Sequence, residues 1–240
     1  MQLIDLTLDN AAENLALDEA LLEAAEAHAC PAEMLRVWES PEWVAVVGRS
    51  SRVDEEVRLD ECALRGIPVL RRCSGGASVL IGPGCLLYSV VLSCELRPAL
   101  RMIEEAHRFV LDHTARALAA ICPGTILRQG ISDLTLGNRK FSGNSLRCKR
   151  THLLYHGTLL YDFALPLLGL CLKSPPRQPE YRACRDHDQF VTNLPVAATL
   201  LRQTLIESWQ PERVLDAWPR DLTNQLVRER YARHEWNLRR

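Results

Sequence analysis

GISDLTLGNRKFSGNSLRCKRTHLLYHGTLL, residues Gly130–Leu160, is the stretch on which the fold reading turns. Gly137-Asn138 is a two-residue signal for a hairpin turn, with strand-like segments on either side of it, Ser132 to Leu136 and Phe141 to Leu146. A third such run, Leu153 to Tyr161, follows. Lys140 falls at the mouth of the hairpin beside Ser142 and Gly143, where backbone would hold it. The plain alternative is a solvated lysine next to a turn, the usual situation of lysine.

A second cluster upstream sharpens the choice. Arg71-Arg72-Cys73-Ser74-Gly75-Gly76-Ala77-Ser78 lies between two apolar runs, one through Ile67, Val69 and Leu70 and the other from Val79 to Ile81, both read as strands. Two glycines after a serine let main-chain N–H groups turn toward one point and leave no Cβ in a ligand's way. The arginines add permanent charge and forked donors. A basic Gly-Gly turn alone commonly just joins strands. With Lys140 it points to a site for an anionic, phosphate-bearing ligand.

Composition bounds the rest. The chain has 240 residues, 47% hydrophobic and 25% charged, enough for one large α/β domain. A formal net charge of -1 advertises neither nucleic acid nor an anionic membrane as partner. Nine cysteines, an odd number with no CxxC, indicate reduced thiols in a cytoplasm rather than a disulfide framework or a zinc ribbon. The start, MQLIDLTLDN, lacks the basic and apolar regions of a signal peptide, and no apolar run reaches membrane-spanning length.

Along the chain, Asn10 with Glu13 makes a capping-box-like start for a helix to about Ala29. Leu35 to Trp38 and Trp43 to Val47 read as strands around a Ser40-Pro41 turn. Leu100, Ile103, His107, Val110, Leu111, Thr114, Leu118 and Ile121 mark one face of a long helix, with His107 at the core edge. Ser174-Pro175-Pro176-Arg177-Gln178-Pro179 is a loop, read as a mobile or ligand-covering segment. Helices near Ala197 to Trp209 and Pro211 to Arg233 finish the chain. The expected class is α+β, mixed and mainly antiparallel sheets flanked by helices.

These motifs resemble the lipoate-protein ligase A family, within the superfamily shared with octanoyltransferases and biotin ligases. Arg72-x-Ser-Gly-Gly, Gly84 and the run Leu86-Leu87-Tyr88-Ser89 are similar to its lipoyl-adenylate loop. Ser132-Asp133-Leu134, Gly137 to Ser145 and His156-Gly157-Thr158-Leu159-Leu160 resemble its lysine strand and the next strand, in order and spacing. Asn14 to Glu19, Val46-Val47-Gly48-Arg49 and Val191-Thr192-Asn193-Leu194 are weaker echoes. The resemblance implies a single catalytic domain over residues 1–240, without the C-terminal accessory domain of two-domain ligases. It also implies that lipoate or octanoate is activated with ATP and Mg2+ and passed to a lysine of a lipoyl-domain acceptor, an H-protein or a 2-oxoacid dehydrogenase E2.

On that resemblance Lys140 is the catalytic residue, contacting the acyl carbonyl and the α-phosphate, where a fixed ammonium stabilises developing charge. Arg72, Ser74, Gly75, Gly76 and Ala77 line the adenylate, with Ser142, Gly143, Asn144, His156, Gly157 and Thr158 around it. Asp133 holds the magnesium ion or the nucleotide; a solvated strand-end Asp is the plain alternative, and for His156 it is a backbone-bonded strand residue. Val79, Leu80, Leu87 and the Leu153–Leu160 strand would form the acyl slot.

The chain also departs from the family. Ala77 stands at the third glycine, Leu80 at the aromatic, Ile81 at the histidine, Gly82 at the acid and Cys85 at the usual Asn; Ile131-Ser132 replaces Arg-Asn. With no accessory domain, either a separate accessory chain completes the enzyme or it only transfers. A thioester-forming octanoyl or lipoyl transferase needs a cysteine thiolate: Cys73 and Cys148 lie beside basic residues but off the family position, Cys122 is too early and Cys184 is remote. A non-catalytic lipoyl-binding paralogue is the third reading. Biotin ligation lacks its alternating Gly-Arg loop.

Overall fold

The computed structural model describes residues 1–239. Among them are eleven strands: β1 (Gln2–Ile4), β2 (Met34–Glu39), β3 (Val44–Val47), β4 (Val69–Arg71), β5 (Val79–Ile81), β6 (Cys85–Ser93), β7 (Ile126–Gln129), β8 (Asp133–Leu136), β9 (Arg139–Cys148), β10 (His152–Leu160) and β11 (Arg213–Val214). A large sheet runs β11-β1-β2-β6-β10-β9-β8-β7, and a small one runs β4-β3-β5. β1 is parallel to β11 and β2, and β3 to β4; the other pairs are antiparallel.

Strand β6, CLLYSVVLS, is buried at every position and stands in the middle of the large sheet. Its apolar run is continuous rather than alternating because both faces are covered. Leu86, Tyr88, Val90 and Leu92 pack with the helices Ile103–Ala119 and Ala198–Ser208. Leu87 and Val91 face the other way: Leu87 packs with the small sheet and Leu15, and Val91 with Leu17 and Leu21 of the helix Ala11–Glu26. The period-two geometry of a strand thus divides one sequence between the two faces of the sheet.

The first helix starts as its residues dictate, Asn10 Oδ1 accepting from the Glu13 N–H at 3.0 Å. It ends at Glu26, short of Ala29, because His28 turns left-handed (φ 55°) and Ala29 N–H closes back on Ala24 O at 2.8 Å. The helix also carries a buried acid. Glu19 accepts from Arg147 of β9 at 3.1 Å and the Tyr231 hydroxyl at 2.7 Å, and it pairs with Arg230. This carboxylate ties the first helix to the sheet and to the chain's end.

Several elements differ from the sequence reading. The hairpin strands are Asp133–Leu136 and Arg139–Cys148, the second much longer than Phe141 to Leu146 because β10 pairs with it as far as Cys148. The strands around Ser40-Pro41 do not pair with each other: β2 joins the large sheet and β3 the small one. Ile103 is 56% exposed at the start of its helix, whereas His107 is buried and bonded to the Tyr155 hydroxyl at 3.0 Å. The helix expected over Pro211 to Arg233 begins only at Arg220. Residues before it are not helical: Glu212 N–H bonds to Met1 O, and Arg213–Val214 add as β11 to the edge of β1.

Replacing Glu19 with Ala leaves Arg147, Arg230 and Tyr231 without their shared acceptor. The expected loss is about 2 kcal/mol, below the usual figure for a broken buried pair because both arginines are partly exposed. Urea unfolding of the variant beside the unaltered chain measures it.

Candidate active site

A cavity of about 630 Å³ opens between the first helix, both sheets, the loop after β4 and the segment that contains Pro175, Pro179 and Tyr181. Leu15, Trp38, Val46, Ile81 and Leu87 make its apolar wall. Lys140, Asp133 and Arg182, with the neutral Tyr181 hydroxyl, supply part of its polar lining, near Ile131, which is 77% exposed. The proline-rich segment read as a ligand-covering loop contributes Pro175, Arg177, Gln178 and Pro179 to the lining.

Lys140 enters this cavity because of a bulge. The β8–β9 register shifts between Leu134 and Thr135, so that Asp133 stands opposite Gly143 and Thr135 opposite Lys140. Lys140 Nζ then reaches Asp133 Oδ1 at 2.7 Å, and the Tyr181 hydroxyl donates to Oδ2 at 2.6 Å. The lysine side chain keeps 27% of its surface exposed, and its carbonyl accepts from Thr192 N–H at 2.8 Å. Gly143 lies under it: an added Cβ would sit 3.0 Å from both Cε and Nζ. Burial and the Asp133 charge push the Tyr181 phenol far up, so it acts as a donor.

Ser142, Asn144, Gly157 and Thr158 brace this arrangement. Asn144 donates to Ser132 O at 2.9 Å and Ser142 Oγ at 3.0 Å, and accepts from the Tyr88 hydroxyl at 2.6 Å. Thr158 Oγ1 accepts from Gly143 N–H at 3.3 Å. Gly157 has no room for a side chain, since a Cβ would overlap Asn144 Oδ1 and come within 2.9 Å of the Tyr88 ring.

The glycine loop is organised from behind. Arg72 lines the cavity, yet it donates to Ser74 Oγ at 3.1 Å, Val46 O at 3.2 Å, Ala77 O at 3.0 Å and Gly75 O. Arg71 likewise bonds Gly48 O, Ser51 O, Trp236 O and Arg239 O. Both arginines therefore shape main chain, and the loop presents Gly76, Ala77 and Ser78 to the cavity. Ser74, 1% exposed, holds His156 Nε2 at 2.5 Å.

On its other side His156 Nδ1 lies 3.6 Å from Asp18 Oδ2. Asp18 Oδ1 accepts from Arg36 Nη1 at 2.6 Å and Ser89 Oγ at 2.9 Å. Burial raises the Asp18 carboxyl, but Arg36 and His156 more than offset it and hold the group below the ordinary carboxylate range. His156 is thus more than a backbone-bonded strand residue: it joins the loop to a buried ion pair at the cavity wall.

Some expected lining residues lie elsewhere. Leu80 faces a smaller adjoining cavity of about 110 Å³, because strand alternation turns Val79 and Ile81, not Leu80, to the main one. From the Leu153–Leu160 strand only His156, Gly157 and Thr158 reach the main cavity. None of the described residues lining it is a cysteine. Burial, then Glu19, pushes the Cys73 thiol up to about 12, whereas Cys148 and Cys184 are exposed. Among the described residues no three His, Cys, Asp or Glu side chains converge on a metal position. Asp18, Tyr181 and Arg182 were not singled out as site residues from the sequence. Their places depend on contacts between distant segments, although Asp18 falls in the Asn14–Glu19 echo.

The family described as the lipoyl protein ligase A/B catalytic domain matches residues 10–212, and the chain belongs to that family of enzymes. It is 31% identical over 147 residues to a putative lipoate-protein ligase A of Aeropyrum pernix, a match over 61% of this chain and 52% of that protein. The chain thus spans about half the length of that relative. The octanoyltransferase LipM of Brevibacillus brevis is 25% identical over 95% of both chains. In fold, the chain is like the bi-partite lipoate protein ligase of Thermoplasma acidophilum, whose structure was solved in a study that included its E2 lipoyl domain (TM-score 0.82, 21% identity, 99% of this chain and 95% of that one). No helix among the described residues is long and apolar enough to cross a membrane.

Gly157→Ala forces the Asn144 side chain from the place where it bonds Ser132, Ser142 and Tyr88. The expected cost is about 1–3 kcal/mol, as for an overpacked core. The amide of Asn144 should shift in a ¹H–¹⁵N spectrum even under conditions where the variant is folded.

Proposed function

We propose that this chain attaches a lipoyl or octanoyl group to a lysine of a lipoyl-domain acceptor, of H-protein or E2 type, through an acyl-adenylate formed with ATP. The observation that carries the reading is the Lys140 ammonium, held by Asp133 in a cavity that also has apolar lining residues. The apolar residues suit an acyl tail, and Lys140 suits the carboxyl or phosphate oxygen on which charge builds. Main-chain groups of Gly76 and Ala77, kept in place by Arg72, would line the adenylate. The segment through Pro179 and Tyr181 would keep water from the reacting carbonyl.

Asp133 fits one magnesium ligand, since this ion commonly takes one or two carboxylates with the rest of its shell from phosphate and water. The metal would supply charge neutralisation on the phosphates. Its binding would compete with Lys140 and Tyr181 for the same carboxylate. The bi-partite nature of the Thermoplasma ligase supports a separate accessory chain as partner.

A thioester transferase is the second reading, favoured by the full-length likeness to LipM. The nucleophile it would draw on is Cys184, exposed two residues beyond Arg182. Against it stands the lack of any cysteine among the described lining residues.

The test mixes the chain with lipoate or octanoate, Mg-ATP and a lipoyl domain, and follows the acceptor's mass. An ATP-dependent gain is expected, and it should fall by about 10²–10³-fold in Lys140→Ala with unfolding unchanged. Near-normal turnover of that variant removes Lys140 from the chemistry. A gain from an octanoyl-carrier protein without ATP, lost in Cys184→Ser, selects the transferase instead.

A further inference from the structure

Arg182 stands apart from the other buried arginines. It is 4% exposed, packs 4.8 Å above the Phe190 ring and donates from Nε to Arg185 O at 2.9 Å, but its Nη2 is buried without any hydrogen-bond partner. Arg36 and Arg71, equally enclosed, spend their donors on oxygens. A buried guanidinium donor left unpaired is costly, so such a group signals an acceptor that arrives from outside.

Its surroundings say what that acceptor is. Lys140 and Arg182 are the two cationic side chains that line both the main cavity and the smaller one beside it. Asp133, the carboxylate beside Lys140, is already occupied by the lysine and Tyr181. The neighbouring His187 is held down at about 4, by burial first and then by Arg182, with Lys140 and Arg58 adding to it against Asp186. Across the linings of the two cavities five Lys and Arg side chains stand against four Asp and Glu, one positive charge in excess.

We propose that Arg182 and Lys140 form a seat for a phosphoanion, with the Arg182 Nη2 donor directed to its oxygens. Planar guanidinium donors suit phosphate geometry, and a desolvated site strengthens the bond. The inference rests on the acyl-adenylate reading for its source: the phosphate chain of ATP, and the pyrophosphate released when the acyl-adenylate forms. The phosphate of a 4′-phosphopantetheine arm carries the same chemistry. Both sources are separated below.

Calorimetric titration of the full chain with inorganic pyrophosphate tests the seat without requiring turnover. Arg182→Met preserves the stem over Phe190 and should weaken pyrophosphate by about tenfold or more, with Arg182→Lys falling between. Thermal unfolding of both variants checks the fold. No binding by the unaltered chain, or equal binding by Arg182→Met, overturns the proposal. Parallel titrations with Mg-ATP and with 4′-phosphopantetheine identify the source by which affinity follows the substitution. A chain that binds pyrophosphate through Arg182 yet never modifies an acceptor would sink the acyl-adenylate reading alone.

Discussion

The ion pair between Asp18 and Arg36, sunk where the first helix meets the large sheet, is the constraint on which the site's geometry rests. Arg36 comes from β2, Ser89 from β6 and His156 from β10, so one carboxylate fixes three neighbouring strands against the helix that carries it. Through His156 the same chain of contacts reaches Ser74 and Arg72, and hence the glycine loop that follows β4 of the small sheet. Two charges this deep persist only with every donor and lone pair engaged. Arg36 meets that demand by also holding Leu6 O and Asn14 O. Asp18 and His156 both line the cavity, so this network also holds part of its wall.

A second theme is how the basic residues divide their work. Arg36, Arg71 and Arg72 turn their donors onto main-chain carbonyls or buried acids, and so act as cross-links between segments far apart in sequence. Lys140 and Arg182 instead line both cavities, and Arg182 Nη2 has no acceptor. Motif reading favoured the adjacent arginines as ligand donors because residue type is visible in a sequence. Whether a guanidinium is already satisfied depends on carbonyls elsewhere in the chain.

The same distinction explains what could be read in advance. The Lys140 hairpin was legible because Gly137-Asn138 encodes its turn locally, and the helix Ile103–Ala119 because its apolar spacing repeats. The glycine loop between β4 and β5 followed from its flanking apolar runs. The non-helical path before Arg220 was not legible, since it exists only because β1 offers an edge to β11. Nor was the bond from Tyr181 to Asp133, or the join between Asp18 and His156, as nothing local to either partner encodes the other. The orphaned Nη2 of Arg182 belongs to the same group: an unmet donor is a property of packing.

All nine cysteines are unpaired, and burial separates them. Six are enclosed in the cores and Cys30 is half-buried, whereas Cys148 ends β9 and Cys184 lies two residues beyond the cavity-lining Arg182. The chain therefore comes with two native attachment points for a thiol-reactive dye or spin label. One is two residues beyond Arg182, and the other is at the far end of the strand that carries Lys140. A distance measured between them would report movement of the Arg182 segment against the sheet with no residue replaced.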